Sequence, residues 1–301
     1  MKNPDLVIVG TMALDTVETP FGTVTEALGG SGTYASLAAS YFTAPAIVSI
    51  VGDDFPEQHL EMLQNRGIEL GGVEKQGKTF RWSGSYEYDM SEARTKATEL
   101  NALAEFNPKL PEAFRAAKYL FLGNFDPELQ LQVFDQVRHD TFVLMDTMNF
   151  WIEGKRDALI EVIKKTDCVL LNDGEARQLW DTPSLVKAAR LTLELGPEYV
   201  IIKKGEHGAL LFGLHSHFSA PGYPLEEVKD PTGAGDSFAG GLIGYLASLK
   251  KHEEPDIRRG MIYGSAIASF CAEDFSVGYR DKVNQSDLDE RFAVFKKIGE
   301  F

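Results

Sequence analysis

The sequence predicts an α/β protein with a doubly wound, mainly parallel sheet sandwiched by helices. Short runs rich in Val, Ile and Leu lack polar alternation, which indicates strands buried on both faces of a parallel sheet. These runs span residues 6–10, 46–52, 118–123, 141–146, 167–171 and 198–205. Apolar residues at helical spacing follow or separate them over 57–67, 127–139, 156–166, 184–196, 236–250, 256–272 and 286–298. This alternation is typical of right-handed βαβ crossovers.

Two polar segments interrupt the alternation and predict a small β lid. Residues 78–103 have the pattern of two strands around a turn, and residues 15–28 have that of another short β segment. Because antiparallel strands do not fit the α/β order, we expect them to form a flap over one edge of the main sheet. The expected organisation is one domain over residues 1–301, with a lid formed from about 12–27 and 76–103.

Aromatic side chains recur along the predicted lid strand with a period of two, which places them on one face. They are Phe80, Trp82, Tyr86 and Tyr88. Such a face can pack inside the lid, join two lids in a homodimer, or stack on a ring-shaped ligand. The sequence leaves these three uses open.

Composition and charge exclude several classes of partner. The 301 residues carry a formal charge of −15, with a pI near 4.9, so nucleic-acid polymers and anionic membranes are not expected partners. No signal-peptide pattern or membrane-length apolar run occurs, which favours a cytoplasmic protein. Cys168 and Cys271 have no metal-site spacing, and we interpret both as buried small hydrophobes.

One apparent phosphate loop is rejected on its context. Residues 72–79, "GVEKQGKT", satisfy G-x-x-x-x-G-K-[ST], with Lys78 as the lysine. A true phosphate loop opens a helix, whereas a period-two strand pattern follows here. We therefore predict a turn rather than a nucleotide site at Lys78.

A stronger anion site is predicted where the helical pattern of 236–250 begins. Gly233, Ala234 and Gly235 lead into that helix, an arrangement that gathers backbone N–H donors around an anion. Asp236 comes next, although its negative charge should repel the anion. Taken alone, the motif fits a tight turn with an ordinary first-turn acid equally well.

Motifs along the whole chain resemble those of the ribokinase-like (PfkB-type) carbohydrate and nucleoside kinases. "DPTGAGDSFAGG" at 230–241 is similar to their C-terminal signature, and "GGSGTYASLAAS" at 29–40 is similar to their N-terminal di-glycine signature. "LLNDGEA" at 170–176 resembles their N-x-x-E element, and "IIKKGEHGA" at 201–209 resembles their nucleotide-side strand and turn. Order and separation also agree, and a β lid fits the fold.

The resemblance implies an ATP-dependent kinase that transfers the γ-phosphoryl group to a primary hydroxyl of a sugar or nucleoside. Asp236 would be the general base, and the backbone of Gly233, Ala234 and Gly235 would stabilise the charge on the phosphoryl group. We also expect the helix dipole to keep Asp236 ionised. The alternative is a catalytically silent member that binds a metabolite and regulates a partner.

The resemblance also assigns the substrate and cofactor residues. Asp15 would hold acceptor hydroxyls, with Gly29 and Gly30 allowing close approach of the backbone; a turn-capping role for Asp15 is the alternative. Tyr34 would also contact the acceptor. Tyr34 and Ala13 stand where ribokinase-type sequences usually have asparagines, so two amide contacts to sugar hydroxyls are missing. Together with the aromatic lid face, this favours a nucleoside over free ribose as the acceptor.

The remaining assignments concern ATP and metal ions. Asn172 and Glu175 would organise Mg²⁺-bound water, or cap the helix that follows their strand. Lys203 would contact nucleotide phosphates, unless it is a solvated lysine, and Gly205 would leave room beside the nucleotide. Thr232 and Asp230 match a loop that binds K⁺ in some members, with residues 273–279 as a second wall.

Overall fold

The computed structural model of the protein describes residues 3–90 and 93–300. Its strands are β1 (Leu6–Val9), β2 (Ala13–Thr19), β3 (Gly22–Gly29), β4 (Ala46–Val51), β5 (Glu69–Lys75), β6 (Arg81–Tyr86), β7 (Ala93–Glu99), β8 (Tyr119–Leu122), β9 (Phe142–Met145), β10 (Cys168–Asn172), β11 (Tyr199–Lys203), β12 (Ala209–Gly213) and β13 (Ser216–Ala220). Its helices are α1 (Ser31–Ala39), α2 (Glu57–Asn65), α3 (Pro127–Phe134), α4 (Asn149–Gly154), α5 (Arg156–Lys164), α6 (Asp173–Trp180), α7 (Leu185–Leu193), α8 (Ala234–Leu249), α9 (Glu254–Ala272) and α10 (Gln285–Ile298).

Nine strands form one large sheet in the order β13-β12-β11-β10-β9-β8-β1-β4-β5. Neighbouring strands are parallel from β11 to β5, whereas β12 and β13 pair in antiparallel fashion at one edge. On β1, Val7 and Val9 join one apolar cluster, and Leu6 and Ile8 join another. Both faces of the strand are therefore buried, which explains the missing polar alternation and confirms the predicted fold class.

The remaining four strands form a smaller sheet in the order β3-β2-β6-β7. The hairpins β2–β3 and β6–β7 are antiparallel, but β2 and β6 run parallel where the hairpins join, so the lid is mixed rather than purely antiparallel. Trp82 and Tyr86 lie on β6, whereas Tyr88 lies beyond the end of the strand and is 92% exposed, so it does not continue the aromatic face along β6. Positions 91–92 of the predicted lid lie outside the described residues.

The two edge strands of the large sheet, β5 and β13, and the strand β12 beside β13 were not predicted. β5 has a Gly-rich and charged sequence with several exposed residues, so no apolar run marks it. β12 and β13 form a short hairpin, and β13 is partly exposed for most of its length. Edge strands bury less surface and therefore leave a weaker signal in the sequence.

Two smaller predictions on composition and motifs are confirmed. Cys168 and Cys271 are both free and buried. Gly72 lies on β5, Lys78 lies in an exposed turn, and strand β6 follows, so no helix opens at the apparent phosphate loop. Within the described ranges, no helix is both long enough and apolar enough to span a bilayer.

Helix α8 is positioned by close packing against α1. A Cβ atom added to Gly240 would lie 2.1 Å from the carbonyl oxygen of Ala35, and one added to Gly244 would lie 2.6 Å from Cα of Ala39. The two helices can approach this closely only because α8 presents no side chains there. This contact fixes where the first turn of α8 points.

The glycine contact predicts a loss of stability in Gly240→Ala. The added methyl group must separate α8 from α1, which should lower the free energy of unfolding by about 1–3 kcal/mol in urea denaturation. Gly154→Ala is the control, since a Cβ atom there meets no atom within 4 Å. Equal stability changes in the two variants would show that the packing of α8 does not depend on Gly240.

Candidate active site

The N-terminus of α8 forms a glycine-rich cradle. Gly233 is the N-cap with a left-handed backbone, φ 76°, and a Cβ atom there would lie 2.4 Å from the ring of Tyr34. Ala234 and Gly235 begin the helix, whose first-turn N–H groups carry partial positive charge. Glycine at 233 therefore meets both the backbone and the steric requirement of this turn. Tyr34, predicted to bind the acceptor, is buried directly against the cradle.

Asp236 lies in the first turn of α8 and is partly buried. The pKa of its carboxyl group is raised to about 7: burial is the main cause, the negative charge of Asp146 adds to it, and the ammonium group of Lys203 opposes both. The expectation that the helix dipole keeps Asp236 ionised is therefore wrong near neutral pH, where the group is only partly ionised. Desolvation is the largest cause, and it brings the pKa close to neutral pH.

A buried ion pair lies beside this turn at the carboxyl edge, which we define as the ends of β9, β10 and β11. Nζ of Lys203, the last residue of β11, is 2.5 Å from Oδ2 of Asp146, which directly follows β9. Their side chains are 16% and 5% exposed, so Lys203 is not a solvated lysine. Burial lowers the pKa of Lys203, but Asp146 and Glu175 outweigh it, so the pKa is raised and the ammonium form is held.

Asn172 and Glu175 lie on the same edge and cap α6 reciprocally. Oδ1 of Asn172 accepts from the backbone N–H of Glu175 at 2.7 Å, and Oε2 of Glu175 accepts from the backbone N–H of Asn172 at 2.7 Å. Both residues therefore cap the N-terminus of α6, as the helix-capping alternative predicted. Burial raises the pKa of Glu175 to about 8, and the charge of Asp146 contributes in the same direction.

The lid sheet contributes a second acid, Asp15 on β2. A Cβ atom on Gly29 would lie 1.8 Å from Oδ2 of Asp15, so the side chain occupies the space that this glycine leaves. Burial raises the pKa of Asp15 to about 7 against a backbone hydrogen bond from Gly30, with the charges of Asp230 and Asp236 also raising it. Within the described residues, Oδ1 of Asp15 is buried without a hydrogen-bond partner.

The loop before α8 connects the cradle to two other segments. Asp230 is buried, and its carboxylate accepts from the backbone N–H groups of Thr232 at 2.9 Å and Ser276 at 3.3 Å. The hydroxyl group of Thr232 donates to the hydroxyl oxygen of Tyr86 at 3.3 Å. The cradle is thereby attached to the lid on one side and to the segment 273–279 on the other.

Gly205 is exposed, with φ 54° and open space around its missing Cβ, so its glycine is required by the turn itself. Asp146 was not proposed as a site residue. The sequence could have indicated Asp146 as a site residue, because it is an acid that directly follows a buried strand of a parallel sheet, where ligand sites lie.

The arrangement can bind an anion and accept a proton next to it. The α8 N-terminus and Lys203 supply positive charge, and Asp236 and Asp15 supply carboxyl groups with pKa values near 7. Across residues 3–90 and 93–300, no three His, Cys, Asp or Glu side chains cluster as a metal cage. The oxygen donors of Asn172 and Glu175 are of the kind that suits an ion such as Mg²⁺, which keeps several waters and binds phosphates.

Comparisons with known proteins point to one family. Residues 4–282 match the family model of the pfkB carbohydrate kinases. A cytidine kinase of Thermococcus kodakarensis is 31% identical over 248 residues, which cover 80% of this chain and 88% of that protein.

Two solved structures are similar to the whole chain. A nucleoside kinase of Burkholderia thailandensis in complex with inosine has a TM-score of 0.78 at 17% identity, covering 96% of this chain and 98% of its own. A ribokinase-II-type protein of E. coli in complex with ATP and Mg²⁺ has a TM-score of 0.78 at 18% identity, covering 99% and 100%. At these identities the similarity establishes the fold.

The buried acid of the lid predicts a pH-dependent stability effect of Asp15→Asn. Between about pH 4 and 7 the folded protein holds a proton on Asp15 that the unfolded chain releases, so this group destabilises the wild type as pH rises through that window. The difference in free energy of unfolding between Asp15→Asn and the wild type should therefore shift in favour of the variant by on the order of 2–4 kcal/mol from pH 4 to pH 8.

Urea denaturation at both pH values measures this difference, and Asp53→Asn, at an exposed loop acid, is the control. A parallel pH dependence in wild type and Asp15→Asn would contradict the raised pKa of Asp15.

Proposed function

Because the chain belongs to the pfkB family of carbohydrate kinases, we propose that it transfers the γ-phosphoryl group of ATP to a primary hydroxyl of a sugar or nucleoside, with Asp236 as the general base. The observation that carries this proposal is the position of Asp236 in the first turn of α8, directly after the cradle residues and within electrostatic reach of the Lys203 ammonium group. The proposed base, the proposed anion site and a buried cation thus belong to one turn of helix and its direct neighbour Lys203.

Each residue of the site has a defined task in the proposed reaction. Oδ1 of Asp15, which has no partner in the described structure, would accept a hydrogen bond from an acceptor hydroxyl. Asp236 would take the proton of the attacking hydroxyl, and a pKa of about 7 suits a base that works near neutral pH. The first-turn N–H groups of α8 and Lys203 would stabilise negative charge on the phosphoryl group.

The oxygen donors of the site support two proposed metal ions, Mg²⁺ and K⁺. Glu175, with Asn172, would hold Mg²⁺ through water, and the ion would neutralise phosphate charge when bound. The carboxylate oxygens of Asp230 each accept one backbone N–H, which leaves lone pairs for K⁺ beside the segment 273–279. Potassium binding there stays a prediction.

A nucleoside is the acceptor class that we favour. The strand register pairs Trp82 with Asp15, so both side chains leave the same face of the lid sheet. The indole ring lies over Gly84, where a Cβ atom would come within 2.3 Å of it, and Nε1 donates to Oγ1 of Thr95 at 3.1 Å. A ring held in this way beside the substrate acid is suited to stack on a base, and similarity to a cytidine kinase supports this choice.

Assembly and location are further proposals. Every residue of β7 is exposed, so the lid presents a strand that could pair with a second copy in a homodimer. We also propose a cytoplasmic location, and the acidic net charge of the whole chain favours small molecules over nucleic acid or membranes as partners.

The proposed base predicts a loss of catalysis without a loss of ATP binding. Asp236→Asn should lower kcat by at least about 100-fold, because proton removal from the acceptor is lost. An ADP-release assay over sugars and nucleosides measures turnover, and calorimetry measures ATP affinity. Lys78→Ala, in an exposed turn outside the site, should leave both unchanged.

The reverse ranking of these two variants would exclude Asp236 as the base. Wild-type protein that binds ATP but releases no ADP with any acceptor would instead favour the silent, regulatory alternative.

The stacking surface predicts a selective effect on the nucleoside. Trp82→Ala should raise KM for cytidine by about 10-fold or more, the loss expected for one stacked base, while KM for ATP stays within about twofold. Tyr88→Ala, at a ring 92% exposed beyond the strand, is the control. Equal KM values for cytidine in the two variants, or turnover of simple sugars alone, would contradict a nucleoside site.

A further inference from the structure

The ion pair between Lys203 and Asp146 is unusual in this protein because both members are shielded from solvent. Their side chains are 16% and 5% exposed. Every other ion pair among the described residues has at least one side chain that is 32% exposed or more. A buried pair contributes little net stability in general, so its presence at the carboxyl edge calls for another explanation.

Asp146 is the fixed member of the pair. Its Oδ1 accepts from the backbone N–H of Thr147 at 2.9 Å, which leaves Oδ2 for Lys203. The buried amide of Gln130 ties the adjoining backbone in place by donating to the carbonyl oxygens of Gly123 at 2.8 Å and Asp146 at 3.4 Å. The carboxylate therefore acts as a rigid anchor for the flexible lysine.

The anchored ammonium group faces the cradle. Nζ of Lys203 lies 3.2 Å from the point that a Cβ atom of Gly235 would occupy, so glycine at 235 leaves the first turn of α8 open toward this charge. Without Asp146, the four-carbon stem of the lysine could reach other acids of the site, such as Glu175.

We propose that Asp146 is a positioning residue for phosphoryl transfer, which holds the Lys203 ammonium group against the first turn of α8 where the transferring phosphate would lie. This inference rests on the proposed kinase function. Asp146 acts through Lys203 in this account, and Lys203 is the group that touches the phosphate.

Asp146 and Lys203 shift the pKa of Asp236 in opposite directions. Burial is the main cause of the raised pKa of Asp236, Asp146 adds to it, and Lys203 reduces it. The other titratable groups with an electrostatic link to Asp236 come from α6, β2, α1 and α9: Glu175, Asp15, Tyr34 and Cys271. Removing the charge of Asp146 should therefore lower the pKa of Asp236, whereas removing that of Lys203 should raise it.

The test compares Asp146→Asn and Lys203→Met with Asp140→Asn. Asp140 precedes β9 at its other end, roughly 20 Å away along the strand, and pairs with Arg138 on the surface. Carboxyl ¹³C NMR of the ligand-free protein follows the titration of Asp236, identified by the signal that Asp236→Asn removes. Calorimetry measures the affinity for ATP, and ADP release with cytidine as the acceptor measures turnover.

We expect Asp146→Asn to lower the midpoint for Asp236 by about half a pH unit or more, Lys203→Met to raise it, and Asp140→Asn to leave it unchanged. Asp146→Asn should also weaken ATP binding by about 10-fold. Asp146→Glu keeps the charge but displaces it. If Asp146→Asn does not fold, weaker ATP binding by Asp146→Glu with little change in the midpoint supports the positioning role.

The inference is overturned if wild-type protein transfers phosphate while Asp146→Asn, or Asp146→Glu in its place, matches Asp140→Asn in both midpoint and ATP affinity. Absence of phosphoryl transfer in the wild type would instead contradict the proposed function, and the NMR titration and ATP affinity would still decide whether Asp146 positions Lys203.

Discussion

The site depends on one buried ammonium group that faces several carboxyl groups. Lys203 is held at the carboxyl edge by Asp146, and the charges of Glu175 and Asp236 also act on it. Burial raises the pKa values of Glu175 to about 8 and of Asp236 to about 7, so these acids are only partly ionised near neutral pH. This balance explains how an acid can stand beside the proposed anion site: its charge is reduced by desolvation, and a lysine and a helix N-terminus offset what remains.

The fold supplies this arrangement through two separate contacts. Parallel strands end on one side of the sheet, which brings Asp146, Asn172 and Lys203 to a common edge although they are far apart in sequence. The close approach of α8 to α1 then directs the first turn of α8 toward that edge. The lid completes the other side, because the register of β2 with β6 places Asp15 and Trp82 on one face.

Much of this could be predicted from the sequence, and the exceptions have physical reasons. Strands such as β1 lack polar alternation because both faces are buried, so the α/β class and the family followed from short patterns and motifs. The edge strands β5 and β13 bury less surface and gave no comparable signal, and β12, which joins β13 in a short hairpin, was missed with it. The pKa of Asp236 could not be predicted, since it depends on Asp146 and Lys203, whose proximity exists only in the folded chain. For the same reason, the pairing of Asp146 with Lys203 was not foreseen.

The most direct measurement of the central claim is a crystal structure of the protein with ADP, Mg²⁺ and cytidine. We predict that the terminal phosphate lies at the N-terminus of α8 beside Lys203, and that the primary hydroxyl of the nucleoside lies within about 3 Å of the Asp236 carboxylate. A nucleoside bound away from Asp15 and Asp236, or a nucleotide from which Asp236 is separated by protein, would contradict the account.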